Sequence, residues 1–131
     1  MMHVKQAVPF FAVANVEASS RWYIDRLGFT MTKSWTPDGK LQWCWLELGG
    51  AALMLQEYRK RPDGVLGAGV SINFICDDAV AFYREVTARG VDAKRPFVGN
   101  GMWVTSMTDP DGYQLHFESV TDEPEDSELD E

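Results

Sequence analysis

The sequence predicts an α+β fold: two βαβββ modules paired into curved mixed sheets that enclose a cleft. Three observations predict it. A strand, a capped helix, a glycine and three further strands occur twice along the 131 residues. The two helix-ending glycines, Gly28 and Gly90, stand 62 residues apart. Each module covers only one face of its sheet with a helix, so the second face needs an equivalent partner. A cleft between two such faces is a natural small-molecule site.

The elements follow in order. Ala7 to Ala14, with Phe10, Phe11 and Val13, reads as a buried strand. Asn15 suits a helix N-cap, because its side-chain oxygen accepts from free backbone N–H groups. The helix then runs from Val16 to Leu27, with Val16, Ser19, Ser20, Tyr23 and Leu27 on one stripe. Gly28 ends it, since glycine tolerates the left-handed position after a helix. Phe29 to Trp35 is a strand, and Thr36-Pro37-Asp38-Gly39 is a turn. Leu41 to Leu48 is the next strand, with Trp43, Trp45 and Glu47 on one face. Gly49-Gly50 turns the chain into Ala51 to Glu57. A connecting loop, 58–68, carries Arg59, Lys60, Arg61, Pro62 and Gly64.

The second module repeats the order. Gly69 to Cys76 is a strand, Asp77 or Asp78 caps a helix reaching Arg89, and Gly90 closes it. Val91 to Arg95, Gly101 to Thr108 and Tyr113 to Ser119 are three further strands, the last two joined by Asp109-Pro110-Asp111-Gly112. Trp22-Tyr23 matches Phe82-Tyr83 on the two helices, Trp43 matches Trp103, and Met54 falls opposite His116. The organisation is thus one domain over 1–120, with modules at about 7–57 and 69–120, followed by a tail at 121–131.

Composition narrows the function. The chain is 45% hydrophobic, enough for a core, and has no apolar run of the roughly 20 residues a membrane span needs. Met1 to Ala7 lacks an apolar signal core, so a cytoplasmic protein is expected. The net charge of −8 belongs to its end: Thr121 to Glu131 holds seven acids and no base, against 13 acids and 12 bases elsewhere. Such a tail reads as a solvated, disordered end. Neither part has the basic face that nucleic acid requires. Cys44 and Cys76 lie in strands and belong to no Cys-x-x-Cys pair, so they read as buried thiols rather than zinc ligands.

Two motifs carry a family resemblance. Val13-Ala14-Asn15-Val16-Glu17-Ala18-Ser19-Ser20-Arg21-Trp22-Tyr23 followed by Leu27-Gly28-Phe29 resembles the opening of the glyoxalase/bleomycin-resistance/extradiol-dioxygenase, or vicinal-oxygen-chelate, superfamily. Asp109-Pro110-Asp111-Gly112-Tyr113-Gln114-Leu115-His116-Phe117 resembles its closing signature. The similarity spans about residues 7 to 120. It implies the paired βαβββ fold and a homodimer. It also implies that four strand positions, which supply His, Gln or Glu to a metal in the metal-dependent members, fall here at Val8, Met54, Ser71 and His116.

That ligand set is incomplete. A divalent cation needs three or more donors in fixed geometry. Valine offers none, methionine suits a hard cation poorly, and serine is weak. A one-residue slip reaches no better set and turns the side chains to the wrong face; a two-residue slip admits Gln56 or Glu118 and still leaves the set short. No metal and no cofactor are therefore expected. His116 reads as a hydrogen-bonding cleft residue able to orient a polar ligand group.

The resulting expectation is a metal-free small-molecule-binding protein, closest in type to the bleomycin-resistance members, with sequestration of an aromatic antibiotic as its specific form. Phe10 and Met54 would give apolar contact, Trp45 and Trp103 stacking, and Ser71, Asn73 and His116 hydrogen bonds, with Glu118 also in the expected lining. Core or dimer packing is the ordinary alternative for the tryptophans. Two competing functions stand beside it: a metal-dependent lyase, isomerase or dioxygenase of the same fold, and a regulatory or interaction module using the acidic tail.

Overall fold

A computed structural model describes residues 1–58 and 64–130. The chain divides into two compact units, Met1–Leu66 and Gly67–Glu131. The basic part of the connecting loop, Arg59 to Asp63, lies outside the described residues.

The first unit holds β1 (Phe10–Val13), α1 (Val16–Trp22), β2 (Thr30–Trp35), β3 (Trp43–Leu48) and β4 (Ala51–Glu57). Its sheet has the order β1-β4-β3-β2, with β1 parallel to β4 and the other pairs antiparallel. β1 is shorter than the apolar run Ala7 to Ala14, and Pro9 just before it has no N–H to donate; its carbonyl accepts from the Met54 N–H at 2.9 Å. Asn15 caps α1 as expected, accepting from the Ala18 N–H at 3.0 Å. The expected helix through Leu27 changes character at Tyr23, where a wider π turn, Tyr23–Leu27, carries the chain to Gly28 at φ 90°. The stripe nonetheless holds: Val16, Ser19, Ser20, Tyr23 and Leu27 are all buried. They cover Phe11, Val13, Cys44, Leu46, Leu53 and Leu55, the alternate residues of three strands.

The second unit repeats this with β5 (Ser71–Ile75), α2 (Ala79–Ala88), β6 (Phe97–Gly99), β7 (Met102–Thr108) and β8 (Gln114–Val120). The order β5-β8-β7-β6, with β5 parallel to β8, is the same topology. Asp78, rather than Asp77, caps α2. Phe74 stacks on Phe117 with ring centroids 4.6 Å apart, and the half-buried Phe82 of α2 meets Phe117 at a tilt, 4.2 Å between centroids.

The two units share a less visible device. The N–H of the first residue of each helix is bound by a side chain from the closing strand. Val16 donates to Glu57 Oε1 at 2.8 Å, and Ala79 donates to Ser119 Oγ at 2.8 Å. Both acceptors satisfy an N–H that the helix itself leaves without a partner. In the second unit Thr105 Oγ1 also donates to the Ala79 carbonyl at 2.7 Å.

Two expectations are corrected. Val91 to Arg95 forms no strand; the edge strand is β6, beyond Pro96. Proline removes an N–H and restricts the residue before it, so pairing resumes only after Pro96. The acidic segment is also not simply a solvated end. Val98 donates to the Ser127 carbonyl at 2.8 Å, Asp126 to the Val98 carbonyl at 2.9 Å and Leu129 to the Pro96 carbonyl at 3.0 Å, so the segment lies along the free edge of β6. An exposed edge strand offers unpaired backbone groups, and these outweigh composition here.

Cys44 is fully buried on the helix side of β3. Burial pushes its thiol from 9.0 up to about 11, against a smaller lowering by a backbone hydrogen bond at Leu55. The unfolded chain therefore loses this proton first as pH rises. Stability held by the neutral thiol is complete below pH 9 and is lost between pH 9 and 11. Comparing urea unfolding of the wild type and Cys44→Val should show the wild type losing about 2–3 kcal/mol relative to the variant over that range. Parallel curves would show that the thiol is not shielded.

Candidate functional site

Strand alternation gives each sheet one helix-covered face and one open face. In the first unit the open face is ordered by the register of four strands. Phe10 pairs with Met54, Met54 with Trp45, and Trp45 with Lys33. The next row is Ala12, Gln56, Trp43 and Trp35. Three residues expected at the site, Phe10, Trp45 and Met54, are thus neighbours in one row. Trp43 and Trp45 are half-buried, while Phe10 and Trp35 are exposed.

The open face has polar features that the sequence did not disclose. Lys33 Nζ sits 4.5 Å from the Trp45 ring centroid, so this ring carries a cation of its own. Thr32 Oγ1 donates to Glu47 Oε2 at 2.6 Å. The strand register shifts between Met31 and Lys33, which sets Lys33 opposite Trp45. At the end of the sheet lies a cavity of about 690 Å³, lined by Trp35, Gln42, Gln56 and Tyr58 among others. Lys40 Nζ and Glu57 Oε2 stand 3.5 Å apart in its wall. Gln42, Lys40 and Tyr58 lie outside the expected set; Trp35, an exposed aromatic at a strand end, was the available signal.

In the second unit Ser71 pairs with Gln114, Asn73 with His116, and Ile75 with Glu118. Across β8, Ser106 pairs with His116 and Val104 with Glu118. Ser71, Asn73, His116 and Glu118 therefore share the open face. Ser106 Oγ lies 2.6 Å from His116 Nδ1, and Ser106 is buried while His116 is half-buried. Nothing in the local sequence around Ser106 marks it as a partner of His116.

Trp103 does not join them. It pairs with Ser119, which bonds the start of α2, so Trp103 faces the helix side of the sheet. There it lines a cavity of about 630 Å³ with Glu123, Ser127, Glu128, Leu129 and Asp130. The error is one of register. Met54 and His116 are equivalent, but Trp43 pairs with Gln56 as Val104 pairs with Glu118. The counterpart of Trp43 is Val104, not Trp103, and a one-residue slip reverses the face.

The vicinal-oxygen-chelate positions do not fit a divalent cation. Val8 and Met54 bring no hard donor from the first unit. In the second, Ser71 is a weak ligand, which leaves His116 as the one competent donor where three or more are needed. Among the described residues, no three His, Cys, Asp or Glu side chains are grouped to hold a metal ion. Cys76 is no substitute: burial raises its thiol pKa first, and Asp77, Asp78 and Glu118 raise it further, against a lowering from a backbone hydrogen bond at Asp78.

Comparison with known proteins is consistent with this topology. The model of the glyoxalase/bleomycin resistance protein/dioxygenase superfamily matches residues 3–117. No curated protein matches the chain. Among solved structures, the bleomycin resistance determinant encoded on transposon Tn5 is 23% identical, with a TM-score of 0.72 over 89% of this chain and 98% of that one. TnmS3, an antibiotic binding protein from Streptomyces sp. CB03234, is 19% identical, with a TM-score of 0.74 over 92% of this chain and 100% of that one. TioX from Micromonospora sp. ML1 is 19% identical, with a TM-score of 0.73 over 90% and 100% of the two chains.

Proposed function

The chain belongs to the glyoxalase/bleomycin resistance protein/dioxygenase superfamily, and from that membership we propose that it is a metal-free binding protein for a small aromatic molecule, with antibiotic sequestration as its role. One observation carries the reading: the positions that would hold a metal are Val8, Met54, Ser71 and His116, and three of them are poor donors. Binding alone needs affinity, so such a replacement costs it nothing. Two relatives of the same fold, TnmS3 and the Tn5 determinant, are an antibiotic binding protein and a bleomycin resistance determinant.

The residues divide the work by chemistry. Phe10 and Met54 supply apolar contact and Trp45 a flat surface for stacking. Ser71, Asn73 and His116 supply hydrogen bonds, and Glu118 a negative charge. Trp103 leaves this set because it faces the helix side. A cytoplasmic homodimer belongs to the same reading; light scattering is expected to give twice the chain mass, and a monomer mass would remove the dimer. Among the described residues no helix is long and apolar enough to cross a membrane.

Calorimetric titration with bleomycin and a panel of aromatic antibiotics tests the proposal. Heat and a saturable isotherm with at least one member are expected, unchanged after chelation. Silence across the panel removes sequestration; stoichiometric nickel, zinc, iron or manganese in protein purified without chelator favours the lyase, isomerase or dioxygenase reading instead. For a ligand found this way, Trp45→Leu should weaken binding about tenfold, the value of one lost stacking surface of about 1.4 kcal/mol. Circular dichroism should show the variant folded. Undiminished affinity would place the ligand elsewhere.

A further inference from the structure

The contact between Ser106 and His116 carries a consequence for which ligands the second unit accepts. An imidazole has two nitrogens, and the bond made by one decides the state of the other. Here Nδ1 is taken up by Ser106 Oγ at 2.6 Å. Ser106 is buried at 7% exposure, so its hydroxyl has little access to water and its proton is best used on a neighbouring acceptor. Nδ1 of a neutral imidazole is such an acceptor. The ring proton then resides on Nε2, the nitrogen left to meet a ligand.

We propose that Ser106 is a positioning residue that fixes His116 as an Nε2–H donor, so that this face selects apolar molecules bearing an oxygen acceptor, such as a ketone or a phenol ether. The reading rests on the binding function proposed above. The surroundings agree with it. Val104 and Phe97, which pair with each other on the β7 and β6 side, are apolar. Asn73, facing His116 from β5, brings an amide that can donate to the same kind of oxygen. Glu118 is the titratable neighbour on this face among the described strands β5, β7 and β8; as an acceptor it favours a ligand that is not an anion.

The experiment has two arms, both on the full chain. The first is nitrogen-15 correlation of the His116 ring at pH 8.5 without ligand. A single Nε2–H tautomer is expected in the wild type and in Ser106→Thr, which keeps the hydroxyl, and a mixture is expected in Ser106→Ala. An Nδ1–H ring in the wild type, or no change in Ser106→Ala, overturns the proposal. The second arm titrates 2-acetonaphthone and its deoxygenated analogue 2-ethylnaphthalene. The ketone should bind about fivefold more tightly in the wild type and in Ser106→Thr, and the preference should vanish in Ser106→Ala. Equal binding of both probes by the wild type overturns the selectivity while leaving the binding function intact. If neither probe binds although the tautomer is fixed, the selectivity is overturned, while the antibiotic titration decides the binding function separately.

Discussion

Gly67→Ala is expected to lower stability by about 3 kcal/mol or more and the melting temperature by about 10 °C or more. A Cβ at this position would clash with Tyr113 N and Gly112 C. Both are backbone atoms, so no side chain can swing aside. The turn they belong to is also unable to retreat. Asp109 Oδ1 accepts from the N–H groups of Asp111 at 2.8 Å and Tyr113 at 2.9 Å, and the Asp109 N–H donates to the Tyr113 carbonyl at 2.9 Å. Asp109, Asp111 and Tyr113 are all buried, and Gly67 itself donates to the Asp111 carbonyl at 2.9 Å. The connecting segment is therefore pinned to the turn by a contact that only glycine permits. Gly50→Ala is the control, since its Cβ meets nothing within 4 Å. It should melt within about 2 °C of the wild type. A Gly67→Ala protein as stable as the control would show that the approach is looser than described.

Gly67 also marks the limit of what the sequence disclosed. It lay in a stretch read as a loop, and a close backbone approach leaves no trace in local composition. Features governed by local chemistry were legible: the Asn15 cap, the five-residue buried stripe of α1 and the π turn after it, the strand Ala51–Glu57 and the doubled element order. What failed depended on partners distant in sequence. Trp43 and Trp103 hold similar places along their hairpins, but the register pairs Val104, not Trp103, with Glu118, and that puts Trp103 on the other face. Ser106 has no local signal, because its importance comes from lying across the ladder from His116. The Lys33 cation over Trp45 depends on a bulge that periodicity does not announce. Donor chemistry needed no coordinates: valine and methionine are poor ligands for a hard cation wherever they sit.

The acidic segment gives the second large effect, and it separates composition from structure. Truncation after Thr121 is expected to lower stability by about 3–4 kcal/mol. The deletion removes the backbone bonds that Ser127, Asp126 and Leu129 make with Val98 and Pro96. It also removes Glu125, whose carboxylate accepts from the Asn100 N–H at 2.6 Å and the Gly101 N–H at 3.3 Å. Asn100 and Gly101 both have positive φ, 54° and 74°, so this carboxylate secures a turn in which Asn100 adopts an uncommon backbone shape. Opposing all this is the repulsion among seven acids, which the deletion relieves. The two contributions can be told apart by replacing Asp122, Glu123, Glu128 and Asp130 with their amides while keeping Glu125. If strand pairing dominates, the amide variant keeps or exceeds wild-type stability in urea, and the truncation alone loses it. If the segment is instead a solvated interaction tail, truncation leaves the unfolding midpoint unchanged. The expected loss makes the segment part of the folded second unit, so that a partner reading its charges would meet them along the outer edge of β6.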